Sequence, residues 1–208
     1  MTDRTRRRPG RPTGRQHVVD RERVLDAAER AIAEFGAGVS IEAIAREAGI
    51  TKPIVYARVG KRMEVSDALA QRLADRLTEA AAAAMGACPP GRPQLVAMIR
   101  SSFETLAVHR ELFLFVSGGA SEEMHQRTLF LASQSAKPMA DQIAVWRKQA
   151  GLDPSAAMSW AYGVVGLLNI VSLWWLNESD LTAECVAEQV ADLLWSGLAP
   201  ITPERLAD

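Results

Sequence analysis

The chain of 208 residues has only two cysteines, Cys88 and Cys185, which lie far apart in no CxxC pair. That excludes a disulfide-stapled scaffold and a zinc ribbon, and suits a reducing compartment. Aromatic residues are scarce at 6% while alanine and leucine abound, a balance that leans towards helix. There is no GxSxG, no phosphate-binding glycine loop and no CxxC pair. Glu122 and His125 form a lone Glu-x-x-His. Di-iron carboxylate bundles need two such pairs and two further glutamates, and neither His17 nor His109 has a Glu three residues before it. No enzyme, metal or cofactor is expected. Arg6–Arg8 resemble the start of a signal peptide, but no apolar segment follows, so secretion is not expected and the cytoplasm is.

Charge is present but unevenly placed. Residues 1–62 hold 14 Lys and Arg against 8 Asp and Glu, and the remainder holds 10 against 17, giving the net charge of -1. A basic third that seeks polyanions is joined to an acidic remainder that avoids them. The basic part opens with "TRRRPGRPTGRQ", Thr5–Gln16, where Pro9, Gly10, Pro12 and Gly14 deny helix or strand. Its "GRP" unit, with Arg11, suits an extended arm entering the minor groove. The bland alternative is a solubilising tail.

Three short helical patterns follow. "DRERVLDAAERAIAEF" places Val24, Ala27, Ala28, Ala31, Ile32 and Phe35 on one face, and "GAG" stops it. Ser40 is placed to cap "IEAIAREA", whose inward residues are Ile41, Ile44, Ala45 and Ala48. "GIT" then leads to "KPIVYARV", with Thr51 as the expected N-cap and Pro53 in the first turn. Two short helices joined by a tight glycine turn form a helix-turn-helix pattern, whose second helix enters the major groove. Val55 and Val59 would face inward with Ile50, leaving Lys52, Pro53, Tyr56 and Arg58 outward. A solvated hairpin in a larger bundle fits the same pattern.

The stretch "RVLDAAERAIAEFGAGVSIEAIAREAGITKPIVYARVGKRMEV", Arg23–Val65, resembles the N-terminal signature of the tetracycline-repressor (TetR) family of transcriptional regulators. The resemblance covers about a fifth of the chain. It implies that Ser40, Tyr56, Arg58 and Arg62 contact phosphates, and that Thr51, Lys52, Pro53 and Ile54 lie nearest the base edges. Three positions depart from the family pattern: Val59 stands for a Phe, Arg62 for a Lys, and Lys61 for the Ser or Asn that caps the fourth helix.

The rest reads as helices. Val65, Leu69, Leu73 and Leu77 recur every four residues, "GACPPGRP" breaks the chain, and Pro138 is expected to bend a long helix ending at Gly151. Residues 154–177 carry no charge. A membrane span requires about 20 apolar residues, but the flanks here are acidic, so a core helix buried on most sides is expected, and no membrane partner. Ser159, Gly163 and Gly166 give it a stripe of small residues for close helix approach. The last helix offers Val186, Val190, Leu193 and Leu194 on one face. All five tryptophans lie in this part and are expected mostly in the core. Met98, Phe103, Trp146, Trp160 and Asn169 are the expected lining of an effector cavity, with Tyr162 a further polar candidate.

The expectation is therefore an all-α protein. A basic arm (1–18) precedes a three-helix helix-turn-helix DNA-binding domain (19–63) and a helical ligand-binding and dimerisation bundle (64–208). The resemblance implies that the last two helices pair with their twins in a homodimer. The expected partners are a palindromic double-stranded operator and a small apolar effector that releases it. The alternative is a constitutive regulator whose bundle only dimerises.

Overall fold

The computed structural model describes residues 20–89, 91–118 and 124–196, with the backbone alone at 124–132 and 134. The arm with Arg11, and the Glu122–His125 side-chain pair, lie outside the described residues. Helices run α1 Arg21–Phe35, α2 Ile41–Glu47, α3 Lys52–Arg58, α4 Arg62–Gly86, α5 Arg92–Val108, α6 Arg110–Val116, α7 Met124–Gln149, α8 Ala157–Glu178 and α9 Ala183–Ser196. No strand occurs among the described residues. The fold is all-α.

The local signals are the ones the sequence carries. Asp20 caps α1 by accepting from the Arg23 amide at 2.9 Å, and Ser40 caps α2 by accepting from the Ala43 amide at 3.2 Å. Thr51 stands at the N-cap of α3 in extended conformation, but its hydroxyl makes no capping bond, contrary to expectation. The hydroxyl is thereby left on the outer surface. Lys61 likewise gives α4 no side-chain cap.

α1, α2, α3, the first half of α4 and α6 share one core. Val24, Leu25, Ile32, Ile44, Val55, Val65, Leu69, Phe113 and Phe115 are all buried in it. The N-terminal core therefore extends beyond residue 63, to Leu73 on α4 and into α6. Phe35 departs from the expected inward set and is 57% exposed, because it is the last residue of α1 and overhangs the core.

A second core joins α5, α8 and α9 around Ile99, Phe103, Trp175, Val186 and Val190, where Phe103 meets Trp175 edge-on at 5.3 Å. A third joins α7 and α8. Pro138 lies inside α7, as expected.

α8 differs from expectation. The stretch Pro154–Glu178 is long and apolar enough to cross a membrane, yet only 22% of its apolar window is buried within the chain. Met158, Trp160, Tyr162, Ile170 and Trp174 are exposed, as are Leu193 and Trp195 on α9. Only Trp175 of the five tryptophans is buried. Apolar composition on α8 reflects a surface left open by the single chain, in addition to a core.

Candidate nucleic-acid interface and cavities

The turn between α2 and α3 is set by Gly49 at φ +66°, a left-handed conformation that a side chain would strain. The Ile50 amide then donates to the Ala45 carbonyl at 2.9 Å. Val55 is fully buried and fastens α3 to the core, so the other faces of this two-turn helix point outward. Thr51, Lys52, Pro53, Ile54, Tyr56 and Arg58 are all exposed, as the sequence predicts. The Lys52 ammonium lies 5.8 Å from the centre of the Tyr56 ring, one turn on, so the two form a single raised feature. Ser40, at the N-cap of α2, is exposed; its oxygen accepts the α2 capping bond, but its O–H remains a donor. Between Glu47 and Glu64 the chain carries Lys52, Arg58, Lys61 and Arg62 and no acid, a run that sets the sign of this surface.

Arg62, expected at a phosphate, is exposed and also makes contacts within the chain. Its guanidinium turns back onto the α1–α2 loop, donating to the carbonyls of Val39 and, at 3.1 Å, Ala37. It also stacks 4.5 Å over Phe115 of α6. From the same helix, Glu111 accepts from the Ala37 amide at 3.1 Å. The loop is thus held by α4 and α6 together, and Arg62 is a brace before it is anything else. The sequence shows a cation here; the carbonyls that capture it come from a loop conformation that the sequence does not show.

Gly60, at φ +124°, makes the α3–α4 turn, and a Cβ there would lie 2.6 Å from the Glu64 Cβ. α4 is tied to α1 by Arg72, which bonds Asp26 at 2.9 Å and Glu29 at 3.1 Å, and by Arg76, which bonds Glu29 at 2.7 Å. His109, at the α5–α6 junction, is held below its ordinary imidazole value by burial and then by nearby Arg76.

Two cavities open in the second half. An inner chamber of about 370 Å³ lies among α4, α5, α7 and α8, and Met98, Phe103, Trp146 and Asn169 line it. An outer chamber of about 760 Å³ holds Met98, Trp146, Arg147, Trp160 and Trp195. The expected cavity residues are therefore divided: Met98 and Trp146 are common walls, Phe103 and Asn169 belong to the inner chamber, and Trp160 belongs to the outer one. Tyr162 lines neither and is exposed on α8. Ser172, which sequence reasoning passed over, lines the inner chamber three residues beyond Asn169. The spacing was a usable signal, since residues three apart share a helix face. Among the described residues, no group of acids, histidines or cysteines is arranged to hold a metal.

Residues 24–61 match the family described as "Bacterial regulatory proteins, tetR family", and residues 117–207 match "Tetracyclin repressor-like, C-terminal domain". The chain belongs to the TetR family of transcriptional regulators. An uncharacterized HTH-type transcriptional regulator of Mycobacterium tuberculosis is 26% identical over 192 residues, covering 89% of this chain and 80% of that one. The fatty acid degradation regulator FadR of Bacillus halodurans superposes with a TM-score of 0.63 at 20% identity, over 85% of this chain and 98% of that one. FadR of Bacillus subtilis, solved in complex with stearoyl-CoA, superposes with a TM-score of 0.61 at 19% identity and the same coverage. These two likenesses concern the fold. As a TetR-family regulator, the protein carries its DNA-binding helix-turn-helix on α2 and α3.

Proposed function

We propose that this regulator is a homodimeric repressor that reads a palindromic operator with α3 and releases it when a small, largely apolar molecule fills the chambers behind α4. The observation that carries the reading is α3 itself: Val55 is buried, the opposite face is exposed, and that face presents Lys52 and Tyr56 free of acids. Thr51, Lys52, Pro53 and Ile54 take the base edges. Lys52 reaches guanine acceptors, and Thr51 and Ile54 meet thymine methyl groups. Ser40, Tyr56 and Arg58 take phosphates, Arg62 supports them from behind, and Arg11 of the basic arm takes the minor groove.

Dimerisation is supported by α8. Gly163 and Gly166 leave a stripe where an added Cβ would meet nothing within 4 Å, and the apolar side chains around it are exposed. Among the described residues, none makes the close approach this stripe allows. Release is supported by α4, which packs in the N-terminal core through Leu69 and lines the inner chamber through Leu77, Ala81 and Met85. The Bacillus subtilis FadR was solved in complex with stearoyl-CoA, which supports an acyl chain as one candidate here.

The test is site selection from random DNA followed by binding assays at several salt concentrations. Lys52→Ala is expected to relax preference at one or two positions per half-site, worth about 1–3 kcal/mol of discrimination. Tyr56→Phe is expected to weaken all sites alike. An unchanged selected profile for Lys52→Ala refutes the base-reading assignment. Ligands that bind the bundle without altering operator affinity would favour the constitutive alternative.

A further inference from the structure

Hydroxyl groups on these helices bond back to their own backbone. Ser101, Ser102 and Ser159 donate to carbonyls three or four residues earlier at 2.9 Å, and Thr78 and Thr105 at 2.8 Å. Ser172 is an exception. It is 0% exposed, and its Oγ has no hydrogen-bond partner. Asn169, one turn earlier on α8, also makes no hydrogen bond among the described residues, whereas Asn177 on the same helix donates to the Leu173 carbonyl at 2.7 Å. Both Ser172 and Asn169 line the inner chamber. The other buried hydroxyl without a partner, Ser117, lines neither chamber. A buried donor or acceptor left unmatched is destabilising, so its persistence at a cavity wall points to a partner supplied from outside the chain.

The rest of the wall constrains that partner. Phe103, Trp146, Met98, Met139 and Leu168 make it apolar, and among the described residues no Asp, Glu, Lys, Arg or His lines it. An ionised group entering would lose its water and find no counter-charge. A cation, Arg147, lines the outer chamber, where its guanidinium stacks 4.5 Å over Trp160 and its Nε donates to the Asp153 carbonyl at 2.6 Å. The volume of about 370 Å³ lies at the small end of ligand sites.

We propose that the inner chamber binds an uncharged, largely hydrocarbon molecule bearing one oxygen, of the alcohol or ketone class, whose oxygen is met by Ser172 and Asn169. This rests on the reading of the chamber as the effector site. Ser172 and Asn169 select the uncharged oxygen, and the chamber's lack of charge rejects the corresponding acid.

The experiment titrates the full-length protein at pH 7.5 with 1-octanol, octanoate and octane, read by tryptophan fluorescence, since Trp146 lines the chamber. Octanol is expected to bind roughly tenfold or more tighter than octanoate, because only the anion must shed its hydration unpaired. Ser172→Ala is expected to weaken octanol about five- to tenfold, the range of one uncharged hydrogen bond, and to leave octane unchanged. Asn169→Leu should do the same. The melting temperature of Ser172→Ala should equal or exceed that of the parent, since an unmatched hydroxyl is removed. Octane binding as tightly as octanol, or octanol indifferent to both substitutions, overturns the proposal. So does octanoate binding as tightly as octanol and losing affinity in Arg147→Gln, which would place an anionic head in the outer chamber. Octanol binding through Ser172 without operator release would leave this inference standing and refute ligand release. Release by a compound indifferent to Ser172 would do the reverse.

Discussion

Two arginines four residues apart, Arg58 and Arg62, look equivalent in the sequence and differ in what they hold. Both are exposed, but Arg62 also braces the Ala37–Val39 loop and covers Phe115. Arg62→Ala should therefore destabilise the DNA-binding unit by about 1–2 kcal/mol before any DNA is present, as expected for lost bonds from a charged donor that is partly open to solvent. Arg58→Ala should leave stability within about 0.5 kcal/mol and weaken DNA binding alone. Thermal denaturation of both variants without DNA decides it; an unchanged melting temperature for Arg62→Ala would return Arg62 to a direct phosphate contact. His109 gives a second test. Its imidazole resists protonation in the folded state because it is partly buried near Arg76. The unfolded chain, at the ordinary value, binds the proton more readily. Stability contributed by the neutral form is then complete above the ordinary imidazole range and falls as pH drops through it. His109→Gln should flatten the denaturation midpoint between pH 7.5 and pH 5.5, and a slope unchanged by the substitution would contradict this.

At the scale of elements, charge joins what hydrophobic packing leaves adjustable. Arg72 and Arg76 of α4 grip Asp26 and Glu29 of α1. Arg72→Ala should lower stability by about 1–2 kcal/mol, and raised salt should narrow the gap to the parent, since these groups are only partly shielded from solvent. A gap independent of salt would mean that Arg72 acts through its aliphatic stem. The helices themselves were legible: apolar spacing, the Ser40 cap and the glycine turns place α1 to α3 within a residue or two. What was not legible is which apolar faces meet inside one chain. Trp160, Ile170 and Trp174 have the composition of core residues and are exposed, because an apolar surface has the same side-chain chemistry as a core and composition does not separate the two. The cavity was partly legible for the same reason. Phe103 and Asn169 meet across helices that periodicity predicts, but separating Trp160 from them requires knowing how α7 and α8 cross.

For the whole molecule, the exposed face of α8 must be covered if the charge-poor helix is to stay in water. Ile170→Glu, at a site 57% exposed in the single chain, should produce monomers without harming the fold, as read by light scattering and circular dichroism. Those monomers should bind a single half-site weakly and lose the preference for half-sites about 34–36 Å apart. A stable dimer carrying Ile170→Glu would place the interface elsewhere.

The unbroken course of α4 has a mechanical consequence. At 25 residues it is a rod about 37 Å long, with no proline and no interruption between the DNA-reading unit and the chamber. A hinge would absorb a displacement locally; a rod converts it into rotation. A wall pushed outward by about 1 Å at a lever arm of half that length tilts the rod by roughly 3°. In the proposed homodimer, two such rods related by a twofold axis would turn in opposite senses, and each reading head would leave its groove by an angle set by geometry. The gain of the device is then a matter of length: for a given tilt, the longer the unbroken rod, the further the reading head travels.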